Sequence, residues 1–351
     1  MQGTLKSTSM GCFLMGVTGI GWTKDGSALI GSVSDDPYDI RTFVKSVHVE
    51  NGFSHVGTEL ISTSRHTLTE RGYFARPGET TRGTNEKGLS FTCAMVIEVE
   101  DDPEKPSGLT HYADVTEEMM RTCETVEDAI RLFQSYGSVQ PAYSVILADA
   151  RGGLAHLEVG SYGISVFAQH SQENSGAVLA VNCYRTPRFI SKNSEVTRME
   201  NKQNNNLTRY TRGLQALESL KGQFTVEKVI ELLSDHVNRE IDPLQNPVLP
   251  GWGYSICNHG TRGKDDYPEE DLPWGTVSAE IMHPTENRFW YTYGWSCGGP
   301  KEYGDQLFQE NTWRRFLPFS VLASSPSAPG TFRLTTNDGY LTANGIHYLS
   351  L

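Results

Sequence analysis

The sequence predicts an α+β fold in which two mostly antiparallel sheets pack face to face with helices outside. Three observations lead there. Strand-like runs come first, followed by helical runs, strands, helices and strands again. Most neighbouring strand-like runs are separated by short turn signals, which favours hairpins over crossovers. Every sheet and helix has an apolar face to cover, and two stacked sheets flanked by helices cover them all. The 351 residues suffice for a sizeable core, and 34 glycines with 16 prolines suit a chain of many strands and turns.

Taken in order, Gly11 to Asp36 reads as a β-hairpin. Cys12 opens an apolar run, Lys24-Asp25-Gly26 supplies the turn, and Ser27 to Val33 runs back. Val44 to Val49 and Val56 to Ile61 are short alternating strands. Residues 62–82 are a polar loop with Arg65, Arg71, Arg76 and Arg82 at intervals, either a solvated segment or a cationic flap facing substrate. Asn85 to Gly88 is a turn, and Leu89 to Val99 a buried strand. Asn85 can cap that turn through its own backbone or aim its amide at an oxyanion. Residues 101–108 form a loop. Helices follow at Thr116 to Glu124 and Thr125 to Tyr136, the second with a Thr125/Asp128 capping box and a stop at Gly137.

Residues 142–168 read as strands broken at Arg151-Gly152-Gly153 and at Gly160, and Ala177 to Asn182 as an apolar strand ending in a polar residue. After the polar linker 201–206 come two helices. Leu207, Tyr210, Leu214 and Leu217 share one face of the first; Val226, Val229, Ile230, Leu233 and Val237 share a face of the second. Arg209 lies in the first turn of the former, where a surface position is the ordinary reading. Tyr254 to Asn258, Thr276 to Met282 and Arg288 to Tyr293 are strand-like. The Ser/Pro stretch 324–330 leads to two short terminal strands.

Chemistry concentrates at Cys12. A glycine precedes it and only eleven residues, MQGTLKSTSMG, come before it. Cutting the Gly11–Cys12 bond gives one residue both a thiol and an α-amine. A thiol has a pKa near ~8.5 and an α-amine near ~7.7–8.0, so a neutral amine can take the thiol proton and later return it to a leaving amine. The amine thereby does the work of the histidine in a Cys–His dyad. Glycine before the cysteine tolerates the backbone geometry that self-cleavage through a thioester needs. The competing reading is a buried core thiol, since cysteine is among the most buried residue types.

A net charge of −12 argues against nucleic acid or an anionic membrane surface as partner. The ten histidines show no HExxH and no paired CxxC accompanies them, so neither metal nor cofactor is expected. Six widely scattered cysteines do not read as a disulfide framework and suggest a reduced, cytoplasmic setting. Residues 1–11 lack the apolar core of a secretory signal, and no apolar run approaches the ~20 residues of a membrane helix.

The order of these features resembles the thiol N-terminal nucleophile (Ntn) hydrolases, in particular the choloylglycine hydrolase and penicillin acyltransferase-like group. A cysteine opens a strand, a DG turn follows, and G-x-x-x-D appears as Gly31 to Asp35. N-E-K-G-L follows at Asn85 to Leu89. LADARGGLAHLEV at 147–159 is similar to the family's L-x-A-D-x-x-G-x-x-x-x-x-E-V, with Asn182 after the next strand. Thr208-Arg209-Tyr210-Thr211-Arg212 is similar to the family's S-R-F-x-R. The resemblance spans roughly 11–300. It implies a four-layer αββα sandwich over 12–351 as a single domain, self-cleavage of the 1–11 leader from a zymogen, and attack by Cys12 on an amide C–N bond. The resemblance also gives Asn182 and Asn85 as oxyanion donors, Asp35 as holder of the α-ammonium, and Arg209 as brace for that carboxylate or for substrate. Asp36 and Arg41 are candidates for substrate binding. Which of Asp35 and Asp36 is the site carboxylate stays open.

One departure bears on substrate. Bile-salt and ceramide-type members carry Arg-Asn after the glycine that stands here as Gly31, whereas this chain has Ser32-Val33. Those substrates are not expected, and the arginine that often supports the nucleophile is missing; Arg41 and Arg209 are the candidates to replace it. The implied function is amidase or acyltransferase action on a small N-acyl compound. A dipeptidase-like activity is an alternative, suggested by Ser34-Asp35-Asp36, as is a non-catalytic binding homologue. A metal amidase using His48, His55 and His66 is a weaker one. The expected partner is the small N-acyl or peptide substrate, with homo-oligomer formation open.

Overall fold

The computed structural model describes residues 12–37, 40–62, 78–100, 102–200, 206–235, 256–258, 274–297, 316–321, 331–335 and 347–350. In chain order the elements are β1 (Phe13–Thr18), β2 (Leu29–Pro37), β3 (Ile40–Val47), β4 (His55–Ser62), β5 (Arg82–Asn85), β6 (Ser90–Val96), β7 (Thr110–His111), α1 (Tyr112–Thr122), α2 (Val126–Tyr136), β8 (Val139–Gln140), β9 (Ala142–Ala148), β10 (Leu154–Gly160), β11 (Gly163–His170), β12 (Gly176–Val181), α3 (Pro187–Ile190), α4 (Asn206–Leu220), α5 (Val226–Leu233), β13 (Trp274–His283), β14 (Arg288–Tyr293), β15 (Leu317–Ser320), β16 (Thr331–Thr335) and β17 (His347–Ser350).

Two large sheets result, ordered β12-β1-β2-β13-β14-β15 and β11-β10-β9-β6-β5-β4-β3-β16-β17. The strand pairs around the site are antiparallel, with Phe13 opposite Val33 and Val181, and Glu280 opposite Ser32. Alternation along the strands sorts residues into layers. On β1, Phe13, Met15 and Val17 join Leu217, Val229 and Leu233 in a core beneath α4 and α5. Cys12 and Leu14 point the other way, into a core shared with Ile146, Ala148 and Leu154 of the second sheet. The far face of that sheet packs Phe91, Val145 and Leu157 against Val115, Met119, Ile130 and Phe133 of α1 and α2. The layers are helix, sheet, sheet, helix, as predicted.

Local devices hold the layers in place. Thr125 and Asp128 form the reciprocal capping box of α2, and Gly137 ends the helix with φ 77°. On α4, a Cβ at position 213 would lie 2.4 Å from Cε2 of Phe13. Glycine there lets the helix settle onto β1, which brings Arg209, one turn earlier, down onto the sheet.

Several expectations shift. The first hairpin has no tight DG turn: pairing ends at Val17 and Leu29, and the long connection is tied by Gly19 N donating to Gly26 O at 3.2 Å. Asp25 accepts from Ser27 N at 3.0 Å and Ser27 Oγ at 2.7 Å, so the aspartate serves an Asx turn. The first helix starts at Tyr112 because His111 caps it, its ring nitrogen accepting from Ala113 N. Described residues 256–258 are not strand. On α4 the buried side is Asn206, Arg209, Gly213 and Leu217, whereas Leu207 and Leu214 are 53% and 44% exposed. The apolar period misplaced that face because its polar positions are the ones that serve the site. Residues 1–11, 63–77 and 201–205, and Val237, lie outside the described residues.

Candidate active site

Cys12 stands at the start of β1, on the face that looks into the gap between the sheets. Beyond it that gap turns polar. Its sulfur accepts a hydrogen bond from Arg82 Nη2 at 3.6 Å, and the same nitrogen donates to Cys93 O at 3.0 Å. Burial pushes the Cys12 thiol pKa up; the Arg82 guanidinium pulls it down, while Asp36 and then Asp35 push it up.

The backbone nitrogen of Cys12 donates to Asn182 Oδ1 at 2.5 Å. Arg209 Nη2 donates to the same oxygen at 3.4 Å, and Asn182 Nδ2 donates to Met95 O at 2.9 Å. Two donors on one side and a carbonyl on the other fix which way the amide faces. Asn182 therefore offers Cys12 its oxygen, not the NH₂ expected of an oxyanion donor. Its position follows from the motif preceding it. Glu158 accepts from Arg185 N and Thr186 N at 2.5 and 2.9 Å, anchoring the chain just after Asn182. Asp149 accepts from Gly153 N and Val126 N, tying the β9–β10 turn to α2.

Asp35 is fully buried. It accepts from Thr276 Oγ1 at 2.7 Å and Asn258 Nδ2 at 3.1 Å, and pairs with Arg209 Nη1 at 3.8 Å. Loss of water raises its carboxyl pKa to about 7, against the opposing pull of Arg209, Thr276 and Asn258. Burial in turn lowers the pKa of Arg209, which Asp35 opposes. Arg209 also donates to Asn206 Oδ1 at 2.9 Å. Of the two neighbouring aspartates, Asp35 makes the contact with Arg209, and Asp36 exerts the larger charge effect on Cys12.

Asn85 does not join this cluster. Its Nδ2 donates to Met120 O and Cys123 O at 3.0 and 2.9 Å, and its Oδ1 accepts from Lys87 N and Leu89 N. Both amide hydrogens are bonded to carbonyls at the end of α1, and the side-chain oxygen to the turn. Arg41 lies on β3, with its side chain outside the described residues. Arg82, expected on a polar loop, is the first residue of β5 and 3% exposed.

Sequence reading missed Glu280. It is fully buried on β13, with its Oε2 3.7 Å from Arg82 Nε. Ser32 and Thr58 donate to it at 3.1 and 3.3 Å, and Ser278 at 2.7 Å. The available signal was a lone carboxylate inside an apolar strand, TVSAEIM, which demands a buried partner. Asn258 and Thr276, which hold Asp35, carried no such signal. Among the histidines named for a metal amidase, His55 bonds Thr80 at 3.1 Å and His48 bonds Ser54 at 3.3 Å; His66 lies outside the described residues. Among the described residues no group of three or more His, Cys, Asp or Glu is placed to hold a metal, and no helix is long and apolar enough to cross a membrane.

The family model of the acyl-coenzyme A:6-aminopenicillanic acid acyl-transferases (AAT) matches residues 36–265. The chain belongs to this AAT family. The matched stretch contains Arg82, Asn182 and Arg209 and begins just after Asp35, so Cys12 stands outside it. Two solved structures share the fold of this chain. A mutant conjugated bile acid hydrolase from Clostridium perfringens is 12% identical with TM-score 0.53, covering 94% of this chain and 98% of its own. Penicillin V acylase from Agrobacterium tumefaciens is 11% identical with TM-score 0.51, covering 97% and 100%. At such identity the likeness is one of fold. No curated protein matches this AAT-family chain by sequence.

Proposed function

We propose that this protein is an amidase or acyltransferase that attacks the C–N amide bond of a small N-acyl compound through Cys12, after cleaving its own Gly11–Cys12 bond. The observation that carries the reading is the treatment of the Cys12 nitrogen. A backbone N–H at the start of an ordinary strand needs a carbonyl across the ladder. This one is given a side-chain oxygen, Asn182 Oδ1, which Arg209 also holds. Such an acceptor suits a free α-amine. Membership of the AAT family and the Ntn fold supports the class of reaction.

In this reading the Cys12 α-amine takes the thiol proton, and the sulfur attacks the substrate carbonyl. A C–S bond forms as the carbonyl oxygen becomes an oxyanion. Collapse breaks the C–N bond, and the α-ammonium returns its proton to the departing nitrogen. The thioester then passes its acyl group to water or to an amine, the α-amine again accepting the proton. Asn182 orients the amine. Asp35 pairs with Arg209 and holds it where it steadies Asn182.

The test combines Cys12→Ala with mass spectrometry and a panel of N-acyl amines, N-acyl amino acids and dipeptides. The reading expects a chain beginning at Cys12, activity on at least one panel member, and loss of both in the variant. Active protein that keeps residues 1–11, or activity that survives Cys12→Ala, overturns it. Adding a competing amine separates transfer from hydrolysis.

A further inference from the structure

The structure places one more charged group on the Cys12 sulfur than the reaction above uses. Arg82 enters from β5 in the second sheet and reaches Cys12 of the first across the gap between them. Nη2 contacts the sulfur, and Nε faces Glu280. Nη1 is buried and has no hydrogen-bond partner among the described residues. A buried guanidinium nitrogen left unbonded costs free energy that folding has no reason to spend. It is accounted for if an oxygen atom arrives there only during reaction.

We propose that Arg82 is a catalytic residue of this site: Nη2 favours the Cys12 thiolate, and Nη1 receives the substrate carbonyl oxygen as it becomes an oxyanion. The proposal rests on Cys12 being the nucleophile. It supplies the oxyanion donor that neither Asn85 nor Asn182 is free to be. Glu280 is the positioning residue, held by Ser32, Thr58 and Ser278 and so unable to swing away from Arg82. The arrangement also accounts for the departure at position 32. This chain has serine after Gly31, and that serine holds the carboxylate which holds an arginine delivered from another strand. Arg82 keeps its proton throughout; it stabilises charge on sulfur and then on oxygen.

Among the described residues, the charged and titratable groups that face Cys12 are Arg82 from β5, Asp35 and Asp36 from β2, Cys93 from β6, and Arg209 from α4. Of these, Arg82 and Arg209 are cationic; Arg82 donates a side-chain hydrogen bond to the sulfur, and the Asp35 backbone N–H bonds it as well. Removing Arg82 therefore takes away the cation bonded to the sulfur and leaves Arg209 to face Asp35, Asp36 and a second thiol.

The test is the pH dependence of Cys12 alkylation by iodoacetamide, read on the Cys12 peptide by mass spectrometry, for wild type, Arg82→Lys and Arg82→Met. Arg82→Met is expected to move the midpoint up by about one pH unit or more, about tenfold less thiolate at neutral pH. On a turned-over substrate it is expected to lower kcat about 100-fold or more with a smaller change in KM. Arg82→Lys is expected to recover most of the midpoint and little of the kcat, because one ammonium cannot serve sulfur and oxygen together. An unmoved midpoint in Arg82→Met overturns the thiolate role; unchanged kcat overturns the oxyanion role. If Arg82→Met does not fold, Arg82→Met with Glu280→Leu, which removes both buried charges, is measured against the same criteria. Alkylation needs no substrate, so it reads Arg82 even if Cys12→Ala shows that the amidase reading is wrong.

Discussion

Glu280→Gln takes the countercharge from Arg82 while keeping the shape of the side chain. Both residues are buried, at 0% and 3% exposure, so water cannot replace the lost carboxylate. Breaking a buried pair from one side costs about 3–5 kcal/mol, whereas replacing both partners with apolar groups is often neutral. With about 2.1 cal/mol/K of unfolding entropy per residue, a chain of this length has about 0.7 kcal/mol/K, so the single change lowers Tm by about 4–7 °C. The double variant Arg82→Met/Glu280→Leu regains most of that loss but stays inactive, because the charge on the sulfur is gone. Differential scanning calorimetry gives the Tm values, and turnover of an N-acyl substrate gives the activity. A Glu280→Gln protein as stable as wild type, or a double variant that recovers activity, refutes the assignment of this pair.

Asp35 gives a pH signature. Burial raises its pKa in the folded protein from 3.8 to about 7, so between those values the native state holds a proton that the unfolded chain has released. Its contribution to stability is full below the lower value and is lost as pH rises through about 7. Across that window Asp35→Asn should gain Tm relative to wild type with rising pH; a difference that stays flat from pH 4 to 8 contradicts the raised pKa. Asn85→Ala should lower Tm, because turn amides and α1 carbonyls lose their partners. The kcat of the folded fraction should stay within about twofold, and a loss near 100-fold would return Asn85 to the oxyanion.

Period and punctuation made much of this fold legible. The strands on either side of Arg151-Gly152-Gly153, the Thr125 capping box and the Gly137 stop are local signals, and each appears where the sequence places it. An apolar run and a turn signal also put Cys12 at the start of a hairpin, although the turn itself is longer than the sequence suggests. What stayed hidden depends on residues far apart in sequence. Arg82 looks like one of several loop arginines until β5 turns it inward, and Glu280 is 198 positions from it. The α4 face was misjudged for a related reason: hydrophobic spacing assumes that buried means apolar, and Asn206 and Arg209 are buried to serve Asn182 and Asp35. Asn85 was legible as a turn residue, and its side chain bonds the turn and the end of α1.

N-terminal sequencing of protein selected for activity is the most direct measurement. Labelling the purified chain with a thiol-reactive, electrophilic N-acyl substrate analogue and sequencing the labelled polypeptide reads the first residue of the working form. The account predicts Cys12 as that residue, with the label on it. Labelled protein that begins at Met1, or that carries the label on a residue other than Cys12, contradicts it.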